Sequence, residues 1–247
     1  MYKNARQDFF LKFVRDISVL LFGLVLAGSL ISCSKSNRII SNASLNVINA
    51  APAFDQVLIK TPNANGYFNQ LAGIYYTASA VYNVPVGVIP VTVANSTDTS
   101  KSVYNSNITV SAGAIYSFFI TGPSVNDVII HRDTIPIKTD SSVGVRFINL
   151  SPNSAPVNIA LSSTPGVNEF SGIAYKTITN YNSYPASSND PQVYTFQATD
   201  DIGNILASVD VSAGMYPFVT KNLTLVLSGM AGATGSNALQ LFVVNNF

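Results

Sequence analysis

The chain has 247 residues, with 13 basic residues, 12 acidic residues and a formal net charge of +1. This balance argues against nucleic-acid binding, which needs a basic surface. With one cysteine and one histidine, the sequence also excludes a disulfide-stapled fold and a metal site rich in these ligands.

The first 32 residues have the pattern of a bacterial lipoprotein signal peptide. A basic segment precedes an uncharged run, "ISVLLFGLVLAGSLIS", over 17–32. The run is shorter than the roughly 20 residues that span a bilayer as a helix, and small residues end it, as at a cleavage site. Residues 30–33, "LISC", resemble a lipobox. We therefore predict cleavage after residue 32, acylation of Cys33, and a polar tether over 33–42.

A catalytic role for Cys33 is a weaker interpretation. A nucleophilic thiol needs a base and an electropositive pocket. The one histidine, His131, lies far along the chain in a predicted strand end. We expect Cys33 to be a membrane anchor, since acyl chains contribute about 0.8 kcal/mol per buried methylene.

Behind the tether, the sequence repeats itself. "LNVINAAP" (45–52) aligns with "VRFINLSP" (145–152), and a tyrosine-rich stretch over 68–85 aligns with 170–185. The shared "VSAG" that ends at Gly113 and Gly214 completes the repeat. Three matches in one order predict two copies of one domain.

Within each copy, apolar residues alternate with polar ones, as in half-buried strands, and turn signals recur every few residues. The predicted fold class is all-β, with two tandem antiparallel β-sandwich domains of immunoglobulin-like or transthyretin-like architecture after a cleaved lipoprotein signal peptide. The predicted domains are 1–32 (signal peptide), 33–42 (tether), 43–139 (first sandwich with linker) and 140–247 (second sandwich). Gly113 and Gly214 are expected in tight turns that need a positive φ.

The repeated motif and the lipobox together resemble a known family. They are similar to Bacteroidetes lipoproteins with tandem copies of the domain of unknown function four-three-nine-seven. Arg146 matches the first-strand pattern of that family, whereas the first copy has Asn46 at this place. The resemblance implies a β-sandwich fold and an envelope location, and it implies no established activity.

Catalytic and metal-binding patterns are missing from the sequence. The part after residue 32 has a single glutamate, Glu169, and its aspartates fall in turns and the linker, so a glycosidase pair of carboxylates is not expected. "TDDIGN" (199–204) has the composition of a hairpin turn and lacks the alternating carboxylates of a calcium loop. We predict no enzymatic activity and no cofactor.

Two weaker patterns point to binding. Six tyrosines at corresponding places of the two copies are candidates for stacking on sugar rings or, alternatively, for core packing: Tyr75, Tyr76, Tyr82, Tyr175, Tyr181 and Tyr184. The sequence "DTI" around Thr134 resembles an O-glycosylation acceptor of Bacteroidetes.

The sequence therefore predicts a non-enzymatic, lipid-anchored protein of the cell envelope, attached to the outer membrane through Cys33. It would present two sandwich modules for binding or adhesion to a neutral glycan or a surface protein. The alternative is a structural scaffold or pilus-like subunit whose last strand, "LQLFVVNNF" (239–247), pairs with a neighbouring sheet edge.

Overall fold

The computed structural model describes residues 42–246 except 64–67, 71–72, 123, 188, 190–191 and 215–221. Residues 40–247 form one compact unit. None of the described residues belongs to a helix with the length and apolar character needed to cross a membrane. The signal peptide, Cys33 and the tether up to residue 41 lie outside the described residues.

The described chain is almost entirely β-structure. The strands of the first half are β1 (Asn42–Asn49), β2 (Gln56–Pro62), β3 (Phe68–Gln70), β4 (Ile74–Tyr75), β5 (Ser79–Pro85), β6 (Gly87–Asn95), β7 (Asp98–Val110), β8 (Ile115–Ile120) and β9 (Val128–Asp133). Those of the second half are β10 (Ser142–Asn149), β11 (Val157–Leu161), β12 (Asn168–Ile173), β13 (Asn182–Pro185), β14 (Gln192–Thr199), β15 (Ile205–Ala213), β16 (Asn222–Ser228) and β17 (Gln240–Asn245). Short 3₁₀ helices cover Val125–Asp127 and Gly235–Asn237.

Each half contains two sheets, and the strand order is the same in both halves. The inner sheets have the orders β5-β1-β8-β9 and β13-β10-β16-β17. The outer sheets have the orders β3-β2-β6-β7, where β4 also pairs with β2, and β12-β11-β14-β15. The prediction of an all-β sandwich fold is confirmed.

The topology separates the two predicted architectures. In an immunoglobulin sandwich the first two strands share a sheet, whereas here β1 and β2 lie in different sheets. Lettered A to H with β4 set aside, each half has the sheets D-A-G-H and C-B-E-F, which is the transthyretin-like arrangement. Strand pairing is antiparallel except in the inner sheets, where β1 pairs with β8, and β10 with β16, in parallel.

Three apolar cores show how the sheets are layered. One core joins the outer and inner sheets of the first half through residues such as Leu45, Val57 and Phe118. A second does the same in the second half, with Phe147 and Phe196. The inner strands β1, β8, β10, β16 and β17 carry apolar residues on both faces. A third core therefore forms between the two inner sheets, and its buried members are Ile48, Ala50, Phe119, Ile148, Leu150, Val226, Phe242 and Val244. The layers therefore run outer, inner, inner, outer.

The segment between the halves is short and is attached to the second half. β9 ends at Asp133 and β10 begins at Ser142. The side chain of Asn222 donates a hydrogen bond of 2.8 Å to the carbonyl oxygen of Pro136, and Lys138 Nζ donates to Ser183 Oγ at 2.5 Å. The predicted boundary near residue 139 falls in this segment, and the assignment of two independent domains stays a prediction.

Candidate functional site

The free face of the second outer sheet carries an open groove of about 530 Å³. Its lining is mainly small and uncharged polar residues: Asn158, Ala160, Ser162, Pro165, Gly166, Asn168, Gln197, Thr199, Asp200, Asp201, Ile202, Gly203 and Ile205. Its volume lies within the range of small-molecule sites. We name this feature the outer groove.

Strand periodicity positions the floor of the outer groove. Ile159 on β11 and Ala198 on β14 pair with each other and belong to the core of the second half. Their neighbours must point to the opposite face, because successive side chains of a strand alternate. Asn158 and Gln197 therefore face the groove.

The β14–β15 turn forms one wall. The Asp200 carboxylate accepts hydrogen bonds from the side chain of Asn204 (2.8 Å) and from the backbone N–H groups of Asn204 (2.7 Å) and Ile202 (3.1 Å). These bonds, the Asn204 side chain first, lower the pKa of Asp200. Gly203 has a φ of +89°, which suits glycine. The prediction of a hairpin turn between β14 and β15 is confirmed.

Asn158 ties this wall to the rest of the groove. Its side-chain nitrogen donates to the carbonyl oxygen of Asp200 at 3.3 Å, and its side-chain oxygen accepts from the Gly172 N–H of β12 at 2.8 Å. One amide thus links the turn, β11 and the edge strand.

Other polar groups of the groove are available to a ligand. The side-chain amides of Asn168 and Gln197 make no hydrogen bond within the described part of the chain. Ile202 and Ile205, exposed by 79% and 58%, add aliphatic surface. The groove can therefore offer donors, acceptors and an apolar contact to an uncharged ligand rich in hydroxyl groups. No group of three potential metal-ligating side chains occurs among the residues the structure describes.

The six predicted tyrosines do not form a binding face, and the stacking prediction is wrong for two of them. Tyr82 and Tyr184 are buried in the cores of their halves, with 9% and 6% exposure, so no sugar can reach their rings. The Tyr184 hydroxyl donates to the Glu169 carboxylate at 2.7 Å, and burial and then Glu169 raise the pKa of Tyr184. Tyr75 is 65% exposed on β4 of the first half, and its stacking role stays a prediction.

The other three tyrosines lie between the two halves. The Tyr76 hydroxyl is 2.8 Å from Ser228 Oγ, and the Tyr175 hydroxyl is 3.2 Å from Thr121 Oγ1. The guanidinium carbon of Arg146 lies 4.9 Å from the centre of the Tyr181 ring. The Tyr76 and Tyr175 contacts join the halves, whereas the Arg146 contact lies within the second half and covers one face of the Tyr181 ring.

Of the two predicted modification sites, Cys33 and Thr134, only Thr134 is among the described residues. Cys33 lies outside the described residues. Thr134 is exposed and directly follows Asp133, whose side chain is buried. Its glycosylation stays a prediction.

The outer groove itself was not predicted from the sequence. A signal was present: Asn158 in "VNIAL" (157–161) and Gln197 in "TFQAT" (195–199) each stand between two core residues. Such alternation marks a face that is not buried, but it does not show which loops wall the face to make it concave.

Three solved structures illustrate what the chain is similar to. An alpha-glucan-binding streptococcal virulence factor is 11% identical, with a TM-score of 0.27, and 74% of this chain matches 93% of that chain. The Bacillus anthracis TIE protein is also 11% identical, with a TM-score of 0.25, over 76% of this chain and 34% of that one. The tip fimbrial protein Mfa3 from Porphyromonas gingivalis is 9% identical, with a TM-score of 0.22, over 83% of this chain and 100% of that one. Such low scores carry no argument about function.

None of the curated proteins matches the sequence. The family comparison gives one match, which starts at the first strand, covers the whole first half and ends in β11. The match supports one copy of the family's domain, so a second copy and a Bacteroidetes origin stay predictions. Residues 43–160 match the family described as "Domain of unknown function (DUF4397)".

Proposed function

We propose that this protein is a non-enzymatic, lipid-anchored component of the bacterial cell envelope that binds a neutral glycan through the outer groove. The observation that carries the proposal is the mainly uncharged polar lining of the groove, in which the Asn168 and Gln197 side-chain amides make no hydrogen bond to any described residue. Amide groups can donate to and accept from sugar hydroxyls at the same time.

The charges of the groove fit a neutral ligand. None of the described residues that line it is a lysine or an arginine, so an anionic sugar would find no cationic partner among them. The Asp200 carboxylate is already occupied by its own turn. Asp201 at the rim could accept hydrogen bonds from hydroxyl groups.

The test uses the chain from residue 33 onward with Cys33→Ala, applied to an array of neutral polysaccharides. Binding that is lost in the Asn168→Ala/Gln197→Ala double variant would support the proposal. Asn107→Ala, an exposed change on β7 of the first half, is the matched control and should bind normally. Absence of binding to every neutral polysaccharide would refute the glycan assignment.

The anchor and the location are parts of the same proposal. They are supported by the order of basic segment, apolar run and "LISC" in the sequence. Metabolic labelling with a fatty acid should mark the wild-type protein and not Cys33→Ala, which should also leave the membrane fraction. Protease treatment of intact cells would then distinguish the outer surface from the periplasm.

Adhesion to a surface protein, or assembly as a scaffold by strand pairing, is the competing hypothesis. β17 is an edge strand of its sheet. It pairs with β16 from Leu223, which lies opposite Asn245, to Ser228, which lies opposite Gln240. Strand exchange would have to break this pairing, whereas augmentation of the free edge would not. The mass in solution should be measured for the chain and for a variant without residues 239–247. The mass of one chain in both cases would argue against the scaffold hypothesis.

A further inference from the structure

A buried ion pair joins the two halves at the contact between the inner sheets. Arg146 Nη1 of the second half lies 2.8 Å from Asp133 Oδ1 of the first, and the two side chains are 2% and 0% exposed. Arg146 Nε also donates to Thr224 Oγ1 at 2.8 Å, and Ser117 Oγ donates to Asp133 Oδ2 at 2.7 Å. Asp133 and Arg146 are the two charged residues among the buried polar side chains of the described chain.

The repeat places these residues at corresponding positions with different chemistry. Asn46 of β1 lies opposite Ser117 of β8, just as Arg146 of β10 lies opposite Thr224 of β16. In the first half Asn46, not arginine, occupies this place, and its side chain donates to the Asn245 carbonyl oxygen across the contact at 3.2 Å.

The acceptors differ in the same way. Ser117 donates to Asp133, whereas Thr224 donates to the side-chain oxygen of Asn246. We call the face of each inner sheet that meets the other half the first face (first half) and the second face (second half). Among the described residues, the first face buries the Asp133 carboxylate, with the His131 imidazole 3.8 Å from it, and buries no lysine or arginine. The second face buries the Arg146 guanidinium and no carboxylate of its own. Corresponding positions of the two halves therefore carry complementary charges.

We propose that Asp133 and Arg146 are a pairing key, which makes each inner face accept the other face and reject a copy of itself. Two first faces would bury two carboxylates against each other, and two second faces would bury two guanidinium groups. A buried charge without its partner is strongly destabilising. The key fixes the two halves in one arrangement and disfavours association of like faces between protein copies. This inference is independent of the proposed glycan site.

Single charge reversals test the key in the chain with Cys33→Ala. Asp133→Arg places two cations at the contact, and Arg146→Asp places two carboxylates there. In each variant alone the halves should separate, so the methyl NMR signals of Ile48, Ile148 and Val226, which lie between the halves, should shift. The signals of Val47 and Leu225, which face the cores within each half, should stay in place.

The decisive measurement mixes the two variants. The first face of one variant then complements the second face of the other, at both contacts. An equimolar mixture should give a complex of both chains, with twice the mass of either variant alone, and should restore the Ile48 and Val226 signals. The doubly reversed variant, Asp133→Arg/Arg146→Asp, should be docked and have the mass of one chain.

The proposal is overturned if the mixture keeps the mass of single chains, or if a single variant gives the wild-type spectrum. Where a single variant does not fold, the doubly reversed variant decides alone. Docked halves and a single-chain mass support the key, and separated or unfolded halves overturn it.

Discussion

Thr77 and Lys176 occupy the same place in the two halves and share an unusual backbone conformation, each with a φ of +64°. Their N–H groups donate to the carbonyl oxygens at the ends of β1 and β10, at Asn49 (2.9 Å) and Asn149 (2.7 Å). The left-handed conformation therefore serves the same connection in both halves.

The two positions should respond differently to glycine. The left-handed backbone conformation costs a residue with a side chain about 1–2 kcal/mol. Glycine avoids this cost, but it loses more conformational entropy on folding, which offsets about 0.5–1 kcal/mol of the benefit. We expect Thr77→Gly to raise the free energy of unfolding by about 0.5–1 kcal/mol in urea denaturation.

Lys176→Gly should raise the free energy of unfolding by less than Thr77→Gly does, or should lower it. Lys176 Nζ donates to the Asn126 carbonyl oxygen at 2.6 Å and lies 5.1 Å from the centre of the Tyr175 ring, and both contacts would be lost. Thr77→Ala, which keeps the strain, is the control for the first position. Equal gains at both positions would contradict this account.

A second pair of corresponding positions, Gly113 and Gly214, should also differ on substitution. Both have a positive φ, +67° and +85°, as the sequence predicted. A Cβ on Gly113 would have no heavy atom within 4 Å, whereas a Cβ on Gly214 would lie 2.3 Å from the backbone oxygen of Ser187. Backbone cannot turn away as a flexible side chain can.

Gly113→Ala should therefore cost about 1–2 kcal/mol from backbone strain alone. Gly214→Ala should cost a further amount of about 1–3 kcal/mol from overpacking. Thermal denaturation of the two variants under identical conditions compares them directly. A smaller loss of stability for Gly214→Ala than for Gly113→Ala would be inconsistent with the observed contact.

The repeated motif was predictable from the sequence, and its structural reason is now clear. The side chain of Asn49 donates to the carbonyl oxygens of Phe54 (3.2 Å) and Ile74 (3.1 Å), and it accepts from the Ala51 N–H (3.2 Å). Asn149 makes the matching bonds to the Ile173 carbonyl oxygen (3.1 Å) and from the Ser151 N–H. In each half the asparagine joins two loops to the end of the first strand, which accounts for its place in both sequence motifs.

The contact between the halves was harder to predict. Residues 115–120, "IYSFFI", form an apolar run, which is typical of a strand buried on both faces. The sequence does not identify what covers the second face, because Phe118 and Phe119 are chemically alike although one faces its own core and the other the opposite half. The tyrosines raise the same difficulty, since a tyrosine ring suits a core, an interface or a sugar.

The Tyr181 hydroxyl should make stability depend on pH in the alkaline range. Burial raises the pKa of Tyr181 from 10.0 to about 12. Below pH 10 the hydroxyl is neutral in both the folded and the unfolded chain. Between pH 10 and 12 it ionises only in the unfolded chain, so the free energy of unfolding falls by about 1.4 kcal/mol per pH unit.

Tyr181→Phe should remove this contribution, and its free energy of unfolding should fall less steeply than that of the wild type between pH 10 and 12. Urea denaturation at several pH values measures the slope, and the ultraviolet absorbance of tyrosinate follows ionisation in the folded protein. Identical slopes for both proteins would show that the Tyr181 hydroxyl is not protected by burial.

Asn158 offers a test of how the outer groove is held together. Its side chain accepts from the Gly172 N–H and donates to the Asp200 carbonyl oxygen. Asn158→Ala removes both bonds, at a cost of about 0.5–1.5 kcal/mol for each. The Gly172 amide, which would lose its acceptor, should then exchange its hydrogen faster.

Asn158→Asp separates the two bonds. The carboxylate can still accept from Gly172, so that amide should stay protected, but it cannot donate to Asp200 and would repel the carbonyl oxygen there. We expect faster exchange over 200–204 in both variants, and faster exchange at Gly172 in Asn158→Ala alone. If the Gly172 amide stays slow in Asn158→Ala, another group must hold the edge strand, and Asn158 would not link the groove wall to β12.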